Sequence, residues 1–328
     1  MAATGKSAPN LVLGAGCVGD KSADTMARFD TPEEVNGLLN AFAARGYSQL
    51  DTARGYSPLA PGTSEPRLGA VGAGDKFTID TKVSSQPGDH TKEKILKEID
   101  ISLDALKVKQ INVEYLHMPD RTTKFEEACE AMDQAHKEGK IKHWGLSNYT
   151  AQEVQQFVDI CEQRGLVKPS VYQGHYNAIG RSPEAELFPV LRKHGIAFYA
   201  YSPAAGGFFS GNAKKVAAGG RWDTSNPIGG MYASFYVKPA IVAAADNAVA
   251  VASKHGISGH AASLRWAAYH SILDKAQGDS IILGVSNLNQ LESNIDAYEQ
   301  GPLPEDVATA FEDVYKHIDK ESEIPYHL

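Results

Sequence analysis

The sequence has few cysteines and no long hydrophobic run, and each absence excludes a class of protein. Three cysteines in 328 residues are too few and too scattered for a disulfide framework, and no CxxC pair indicates a zinc site. No segment approaches the roughly 18 consecutive apolar residues of a membrane span. The first ten residues lack the apolar core of a secretory signal. We therefore expect reduced thiols and a cytoplasmic protein that does not span a membrane.

Basic residues are not concentrated in any part of the chain. The net charge is −8 and no run of lysines and arginines occurs, which argues against nucleic acid as the main partner. A composition of 42% hydrophobic and 22% charged residues is typical of a globular protein with a large core. We therefore expect a small-molecule partner. The sequence leaves the oligomeric state open, a homodimer included.

Short apolar runs alternate with amphipathic helical stretches along the whole chain. This alternation is typical of parallel βα units, and eight strands favour a closed barrel over an open sheet. We predict a (β/α)8 TIM barrel of the α/β class, forming a single domain over residues 1–328. The predicted strands are Leu11–Leu13, Gln49–Asp51, Phe77–Lys82, Ile111–Leu116, Ile141–Ser147, Val171–His175, Ala197–Tyr201 and Ser280–Leu283.

Helical periodicity follows most of these strands. Thr31 and Thr91 are predicted N-caps, because threonine accepts a hydrogen bond from the first turn of a helix. A second helix, Gly259–Tyr269, precedes the last strand, and a tail helix, Pro304–Lys320, follows the barrel. The predicted helices between strands include Thr31–Arg45, Thr91–Leu106, Phe125–Glu138, Ala151–Arg164, Glu184–His194, Pro239–His255 and Leu288–Glu299.

The stretch between Ser202 and Pro239, after the seventh strand, is rich in glycine and aromatic residues and has no clean periodicity. It is too long for an ordinary connection between elements. We therefore predict a long loop that folds over a ligand.

Polar residues lie at the ends of the second, third and fourth strands, where a TIM barrel carries its active site. Asp51 ends the second strand, Tyr56 follows five residues later, Lys82 ends the third strand and His117 ends the fourth. Each residue alone is more often a rim or structural residue. A charge in a barrel mouth needs a partner, however, and Asp51 is the natural partner of Lys82. We therefore predict that the four residues form one catalytic site.

Together these residues support the reduction of a carbonyl group. A hydride that arrives at the carbonyl carbon leaves charge on the oxygen, which needs a proton donor and a hydrogen-bond donor. Tyr56 would give the proton. An ammonium at ~4 Å, worth about 4 kcal/mol at an effective dielectric of about 20, would lower the tyrosine pKa from about 10. Lys82 would be this ammonium, Asp51 would orient it, and His117 would position the carbonyl oxygen.

Other classes of protein that single motifs would suggest are excluded by the residues around those motifs. Gly14 to Gly19 match the GxGxxG fingerprint of dinucleotide-binding folds, but no helical pattern opens at Gly19. Asp51 also follows Gly19 by 32 positions, whereas the fingerprint expects an acidic residue about 20 positions on. None of the fourteen tyrosines has lysine four residues later, as a short-chain dehydrogenase requires. No HxH or HExxH pair lies at a strand end, so we predict no metal.

Several motifs in combination resemble the aldo-keto reductases. They are Leu50–Tyr56, Thr81–Lys82, Tyr115–His117 and Gly145–Asn148. Three further segments are most similar to the aflatoxin-aldehyde reductase branch of that family, and the resemblance spans nearly the whole chain. These segments are Tyr172–Asn177, Phe198–Pro203 and Ile282–Asn294. The resemblance implies an NADP-dependent oxidoreductase that uses NADPH to reduce an aldehyde or ketone to an alcohol.

The resemblance also implies positions for the cofactor. Ser147, Asn148 and Gln173 would bond the nicotinamide carboxamide, and Tyr201 would stack on its ring. Arg221 beside a 2′-phosphate would favour NADPH over NADH. The pyrophosphate would be covered by Ser202, Pro203, Gly206, Gly207, Gly211 and Asn212. The adenosine end would be held, together with Arg221, by Ser286, Asn287, Gln290 and Asn294.

At two positions the chain departs from that branch. Where its mammalian members carry arginines for a substrate carboxylate, this sequence has Phe235 and Leu328. We therefore predict a neutral carbonyl substrate that is aromatic or extended. The candidate contacts, each of which ordinary packing would explain equally well, are Trp222, Met231, Tyr232, Phe235 and Tyr236.

The alternative is a regulatory subunit that senses a cofactor and resembles the potassium-channel β subunits, which share this barrel. The set of Asp51, Tyr56, Lys82 and His117 indicates that the chemistry is available and not that turnover is its purpose. The physiological substrate, the stereochemistry and the favoured direction do not follow from the sequence.

Overall fold

The computed structural model describes residues 7–216, 218 and 220–328, and its strands form one closed parallel barrel. Each strand is hydrogen-bonded to the next, and the last strand pairs with the first. The predicted TIM barrel is confirmed, with every strand within one residue of its expected ends. The strands are β1 Asn10–Gly14, β2 Gln49–Asp51, β3 Thr78–Val83, β4 Ile111–Leu116, β5 Ile141–Ser147, β6 Val171–His175, β7 Ala197–Tyr201 and β8 Ser280–Gly284.

An outer layer of helices covers the barrel, and the predicted helices between strands are found within one residue of their expected ends. The tail helix spans Glu305–Lys316 instead of Pro304–Lys320, and His317 is its C-cap. Ser64–Ala70 is an additional helix, too short to show a helical period. The helices are α1 Pro32–Ala44, α2 Ser64–Ala70, α3 Lys92–Leu106, α4 Phe125–Lys137, α5 Ala151–Arg164, α6 Pro183–His194, α7 Pro227–Tyr236, α8 Pro239–Lys254, α9 Gly259–Tyr269, α10 Leu288–Glu299 and α11 Glu305–Lys316.

Side chains of the strands alternate between the inside of the barrel and the layer beneath the helices. A small buried cluster around Tyr115 and Tyr199 lies inside the barrel, separate from the large apolar core under the helices. The register pairs Asp51 with Asp80 and Lys82 with Tyr115. Charged and aromatic side chains therefore share the upper interior of the barrel.

The stretch after β7 is not irregular throughout, contrary to the prediction. A 3-10 turn spans Ala205–Ser210, and helix α7 follows it. The N-cap of α7 is Asn226, whose side chain accepts a hydrogen bond from the amide of Gly229 at 2.8 Å. Sequence periodicity misses this helix because glycine and aromatic residues are spread around its whole circumference. The turn Ala205–Ser210 and helix α7 therefore form a cover on one side of the barrel mouth.

The glycine-rich segment after β1 does not open a helix. Residues 15–30 form turns, with one isolated bridge between Val18 and Phe29. A dinucleotide fingerprint requires a helix to begin at its third glycine. Together with the closed barrel, this excludes the open dinucleotide-binding fold for this segment.

Among the described residues, no single helix is both long and apolar enough to cross a membrane. Ile228–Tyr236 and Pro239–Lys254 reach that length and composition only as a pair, and the pair is bent by 79°.

The two predicted N-cap threonines differ in their contacts, which gives a matched test. Thr31 Oγ1 accepts from the amide of Glu34 at 3.3 Å, and the Glu34 carboxylate accepts from the Thr31 amide, whereas Thr91 makes no side-chain bond to its helix. We expect Thr31→Ala to lower the free energy of unfolding by about 1 kcal/mol, because helix amides lose an acceptor. Thr91→Ala should change it by less than about 0.5 kcal/mol. Urea unfolding measures both, and equal losses would contradict the difference in capping.

Candidate active site

A buried lysine and a buried aspartate form the centre of the site. Lys82 Nζ lies 2.7 and 2.8 Å from the two carboxylate oxygens of Asp51 and donates to the carbonyl oxygen of Thr52 at 2.7 Å. Gln173 Nε2 donates to the same carboxylate at 2.7 Å. Burial is the largest single effect and would lower the pKa of Lys82, but the charge and hydrogen bonds of Asp51 together with the contact to Tyr56 outweigh burial and hold this pKa above its usual value. The ammonium is therefore charged and fixed in place.

Tyr56 lies beside this pair at the mouth of the barrel and is partly exposed. Its Oη is 3.3 Å from Lys82 Nζ and 3.4 Å from Asp51 Oδ2. Burial raises the pKa of Tyr56 by more than the charge of Lys82 lowers it, so the pKa lies above its usual value. Lys82 lowers the pKa of Tyr56 as expected, but burial outweighs this effect, so the expected net lowering of the pKa does not occur. The phenol keeps its proton at neutral pH.

His117 completes the group immediately after β4. Its ring lies 5.9 Å from the ring of Tyr56, at 76°. Burial, and then the positive charge of Lys82, lowers the pKa of His117 to about 3. The imidazole is therefore neutral at physiological pH, with one N–H to donate. The structure thus brings all four predicted catalytic residues together.

Asn148 links the ends of three strands next to this group. Its φ of 65° is unusual for a residue other than glycine. Its Nδ2 donates to the carbonyl oxygen of His117 at 2.9 Å and to Ser147 Oγ at 3.0 Å. Its Oδ1 accepts from Tyr201 Oη at 2.9 Å. The residues predicted to contact a nicotinamide, Gln173 among them, are therefore gathered in one place around the catalytic group.

The chain after β7 approaches the same mouth through left-handed backbone conformations. Ser202, Gly206, Gly207 and Gly211 have φ values of 55°, 60°, 83° and 76°. A Cβ at Gly206 would lie 2.4 Å from the ring of Tyr232, so glycine is required there. A Cβ at Gly207 would likewise lie 2.6 Å from the amide nitrogen of Asn212. Pro203 follows Ser202 in the same turn, and its carbonyl oxygen accepts from Ser263 at 3.4 Å.

Arg221 is an exposed cation beside this turn. Its Nη1 donates to Tyr232 Oη at 3.0 Å, and its guanidinium carbon lies 5.1 Å from the centroid of that ring. Tyr232 Oη also shares a hydrogen bond of 2.7 Å with Ser202 Oγ. Because the partner of Nη1 is a phenol, this bond orients the arginine without cancelling its positive charge.

The N-terminus of α10 follows the end of β8. Asn287 Oδ1 accepts from the amide of Gln290 at 2.9 Å, and Gln290 Oε1 accepts from the amide of Ser286 at 2.8 Å. These three predicted adenosine contacts therefore form a reciprocal helix cap. Asn294 lies further along, with its Oδ1 2.8 Å from His260 Nε2. A capped helix N-terminus carries partial positive charge, which favours a bound anion.

The five predicted substrate contacts divide by exposure. Trp222, Tyr232 and Tyr236 are buried, at 5%, 5% and 0% exposure, and pack on one another as an aromatic cluster. Met231 is 37% exposed and Phe235 is partly exposed. The structure therefore leaves two of the five with surface for a ligand, while three have ordinary packing roles.

A second buried acid lies inside the barrel and was not predicted from the sequence. Asp80 is fully buried and accepts from Gln49 Nε2 at 2.7 Å and from Asn112 Nδ2 at 2.6 Å. The alternation of β3 places Asp80 on the same face as Lys82, two residues on. That alternation is the pattern by which the sequence would have revealed it.

Comparison with known proteins agrees with this geometry. The model of the Aldo/keto reductase family matches residues 10–316. An aldo-keto reductase of Pseudocercospora fijiensis is 36% identical over 300 residues, covering 88% of this chain and 99% of the relative. Aldo-keto reductase family 7 member A3 of Homo sapiens is 37% identical over 332 residues, covering 96% of each. Aflatoxin B1 aldehyde reductase member 2 of Homo sapiens is 38% identical over 300 residues, covering 87% of this chain and 82% of the relative.

A (β/α)8 barrel with tyrosine, lysine, aspartate and histidine at its mouth defines a class of carbonyl-reducing enzymes. The chain belongs to the aldo/keto reductase family and is an NAD(P)-dependent oxidoreductase. Its similarity to the aflatoxin B1 aldehyde reductases confirms the predicted resemblance to that branch.

We expect the protein to lose stability when one partner of the buried ion pair is removed and the other charge is left unpaired. Lys82→Met leaves the buried Asp51 without its cation and should lower the free energy of unfolding by about 3–5 kcal/mol. The double variant Asp51→Asn/Lys82→Met removes both charges and should recover much of that loss. Urea unfolding of the variants measures the coupling.

Lys92→Met is the matched control, because Lys92 forms a solvent-exposed pair with Glu130 at 3.8 Å. It should cost less than about 1 kcal/mol. A double variant no more stable than Lys82→Met would show that the unpaired charge of Asp51 is not the source of the loss.

Proposed function

We propose that the chain reduces neutral aldehydes or ketones to alcohols with NADPH, with Tyr56 as the general acid. The observation that supports this most strongly is the contact of 3.3 Å between Tyr56 Oη and the buried ammonium of Lys82. When bound, the nicotinamide cofactor supplies the hydride that reaches the carbonyl carbon. The residues of the chain supply the proton, the positive charge and the orientation.

The proton step follows from the state of each residue. Tyr56 keeps its proton because its pKa is raised, so it starts the reaction as an acid. As negative charge develops on the carbonyl oxygen, the O–H bond of Tyr56 breaks and the O–H bond of the alcohol forms. The phenolate left behind is stabilised by Lys82 until solvent returns a proton. Neutral His117 donates its N–H to the same carbonyl oxygen and positions it.

The residues around the mouth suit a phosphorylated nicotinamide cofactor. The side chains of Ser147, Asn148 and Gln173 offer amide and hydroxyl groups for a carboxamide, with the ring of Tyr201 beside them. The left-handed glycines bring backbone close to a ligand, and the N-terminus of α10 attracts phosphate. The exposed guanidinium of Arg221 suits a 2′-phosphate, which favours NADPH.

The surroundings of the mouth favour a neutral substrate. Phe235 presents an apolar ring on α7, and the amide of Leu328 donates to the carbonyl oxygen of Asn148 at 3.1 Å. Arg121, which reaches the carbonyl oxygen of Leu328 at 2.9 Å, is already paired with Glu153 at 2.6 Å. A substrate carboxylate would therefore meet an arginine whose charge is compensated. Met231 and Phe235 are the proposed apolar contacts.

Replacement of the proton donor tests the proposed function. Tyr56→Phe should lower turnover by at least about 10²-fold, because general acid catalysis contributes roughly that factor. NADPH binding should persist, since the ring and its packing remain. Loss of NADPH absorbance with an aromatic aldehyde measures turnover, and quenching of tryptophan fluorescence measures binding.

Tyr47→Phe is the control for this substitution, because Tyr47 precedes β2 at the opposite end of the barrel and bonds Glu299 at 3.0 Å. It should retain wild-type turnover. Unchanged turnover in Tyr56→Phe would remove Tyr56 from its role. A wild-type chain that binds NADPH but turns over no carbonyl compound would instead favour the cofactor-sensing alternative.

The choice of substrate is tested with a matched pair that differs only in charge. Succinic semialdehyde carries a carboxylate, and its methyl ester is neutral at the same length. We expect kcat/KM to favour the ester by about tenfold or more, because the carboxylate would lose hydration without gaining a free cation. A neutral aromatic aldehyde should also be preferred over the acid. A strong preference for the acid would defeat this assignment and leave the reaction class intact.

A further inference from the structure

Asp80 is a carboxylate inside the barrel that the proposed reaction does not use. It is the register partner of Asp51 on the neighbouring strand, and it lies two residues before Lys82 on the same face of β3. Asp80, Asp51 and Lys82 are all essentially inaccessible, at 0%, 1% and 0% exposure. Two carboxylates and one ammonium therefore occupy adjoining positions in a space without bulk water.

Lys82 donates its hydrogen bonds to Asp51 and the backbone, whereas Asp80 accepts hydrogen bonds from neutral side chains. Lys82 directs its protons to both oxygens of Asp51 and to the carbonyl oxygen of Thr52. Asp80 instead accepts from two neutral amides, Gln49 at 2.7 Å and Asn112 at 2.6 Å. Asp80 is thus held firmly in place by groups that do not neutralise its charge.

This environment makes the charge of Asp80 variable near neutral pH. Burial raises the pKa of Asp80 to about 7, and the charge of Asp51 acts in the same direction, against Lys82 and the two amides. The other ionisable side chains that face it are Tyr115 of β4 and Tyr199 of β7. Burial raises the pKa of both phenols, so they stay neutral. Asp80 is therefore the member of this group that changes charge in the neutral range.

We propose that Asp80 is a positioning residue that adjusts the proton affinity of Tyr56 through the Lys82–Asp51 pair. With Asp80 neutral, Asp51 is the carboxylate of this cluster that opposes the positive charge of Lys82 at the phenol. With Asp80 ionised, its negative charge opposes Lys82, and Tyr56 holds its proton more tightly. Asp80 exchanges no atom with the substrate. This inference rests on the proposed role of Tyr56 as proton donor.

The two directions of the reaction need Tyr56 in opposite protonation states. Alcohol oxidation removes the alcohol proton with ionised Tyr56, while hydride passes to NADP⁺. An ionised Asp80 suppresses this direction by disfavouring the phenolate. Carbonyl reduction needs protonated Tyr56, and an ionised Asp80 preserves that form in alkaline solution. Asp80 therefore sets the pH at which Tyr56 changes between these two states, while the equilibrium between carbonyl compound and alcohol stays the same.

Asp80→Asn keeps the shape of the side chain and removes its charge, which gives the direct test. One charge in the same buried cluster should shift the pKa of Tyr56 by about half to one unit. At pH 9, where wild-type Asp80 is ionised, alcohol oxidation by the variant should be about threefold to tenfold faster. At pH 6, where Asp80 is already neutral, the two proteins should have equal rates. Equal rates at both values of pH would overturn the proposal.

Gln49→Met is a second variant that leaves the carboxylate in place. It removes a hydrogen bond that favours ionised Asp80, so it should raise the pKa of Asp80. The pH above which alcohol oxidation becomes slower than in Asp80→Asn should therefore be higher for Gln49→Met than for the wild type. A residue with only a packing role would not produce such a move. An unchanged pH of departure would count against Asp80 as the titrating group.

Stability provides a measurement that is independent of turnover. The pKa of Asp80 is raised in the folded state, so its contribution to stability is complete below the unfolded value and is lost as the pH rises through the folded value. The urea midpoint of Asp80→Asn relative to wild type should therefore be higher at pH 8 than at pH 5. If this shift appears without any change in oxidation, Asp80 titrates without acting on Tyr56, and the proposal fails. Failure of the proposed function would appear separately, as wild-type turnover that Tyr56→Phe does not reduce.

Discussion

The ion pair between Lys82 and Asp51 is the interaction on which the catalytic end of this barrel depends. Removing a lysine and an aspartate from water costs several kcal/mol per ion, and this cost is offset only when geometry and hydrogen bonding are nearly complete. Here the carboxylate accepts two bonds from Lys82 and one from Gln173, while the ammonium also bonds the backbone at Thr52. The pair therefore connects β2, β3 and β6 and determines where Tyr56 meets a positive charge.

The charge of Lys82 adds to the effect of burial on the pKa of one neighbour and opposes it on the pKa of the other. Positive charge on Lys82 adds to burial at His117, where both effects favour the neutral imidazole. At Tyr56 the same charge opposes burial and does not overcome it, so the phenol also remains neutral. A buried cation can thus support two uncharged hydrogen-bond donors at one mouth. This is the combination that a carbonyl oxygen gaining negative charge requires.

The interior below the site departs from the usual packing of this barrel. TIM barrels fill their interiors with layers dominated by branched apolar side chains. Here Asp80, Gln49 and Asn112 form a hydrogen-bonded group inside the barrel, with Tyr115 and Tyr199 nearby. Such a group is stable only when its polar atoms find partners, and the two amides meet that need for the acid. The Lys82–Asp51 pair therefore lies beside a buried polar group instead of an apolar layer.

The cover on the other side of the mouth obtains its order from aromatic packing. Trp222, Tyr232 and Tyr236 contact one another on the segment after β7, and Trp222 Nε1 bonds the carbonyl oxygen of Gly206 at 2.9 Å. Tyr232 orients Arg221 and also bonds Ser202. Trp222, Tyr232 and Tyr236 therefore hold helix α7 against the turn that follows β7, and Met231 and Phe235 supply apolar surface at the mouth.

The order of strands and helices is determined by residues that are close to one another in the sequence. Apolar runs and helical periods are properties of neighbouring residues, so all eight strands and the position of Asp51 and Lys82 at strand ends follow from them. The tertiary structure alone decided the raised pKa of Tyr56, the burial of Tyr236 and the place of Asp80 beside Asp51. Each of these depends on distances between atoms from different strands and on the exclusion of water, and no local pattern carries that information.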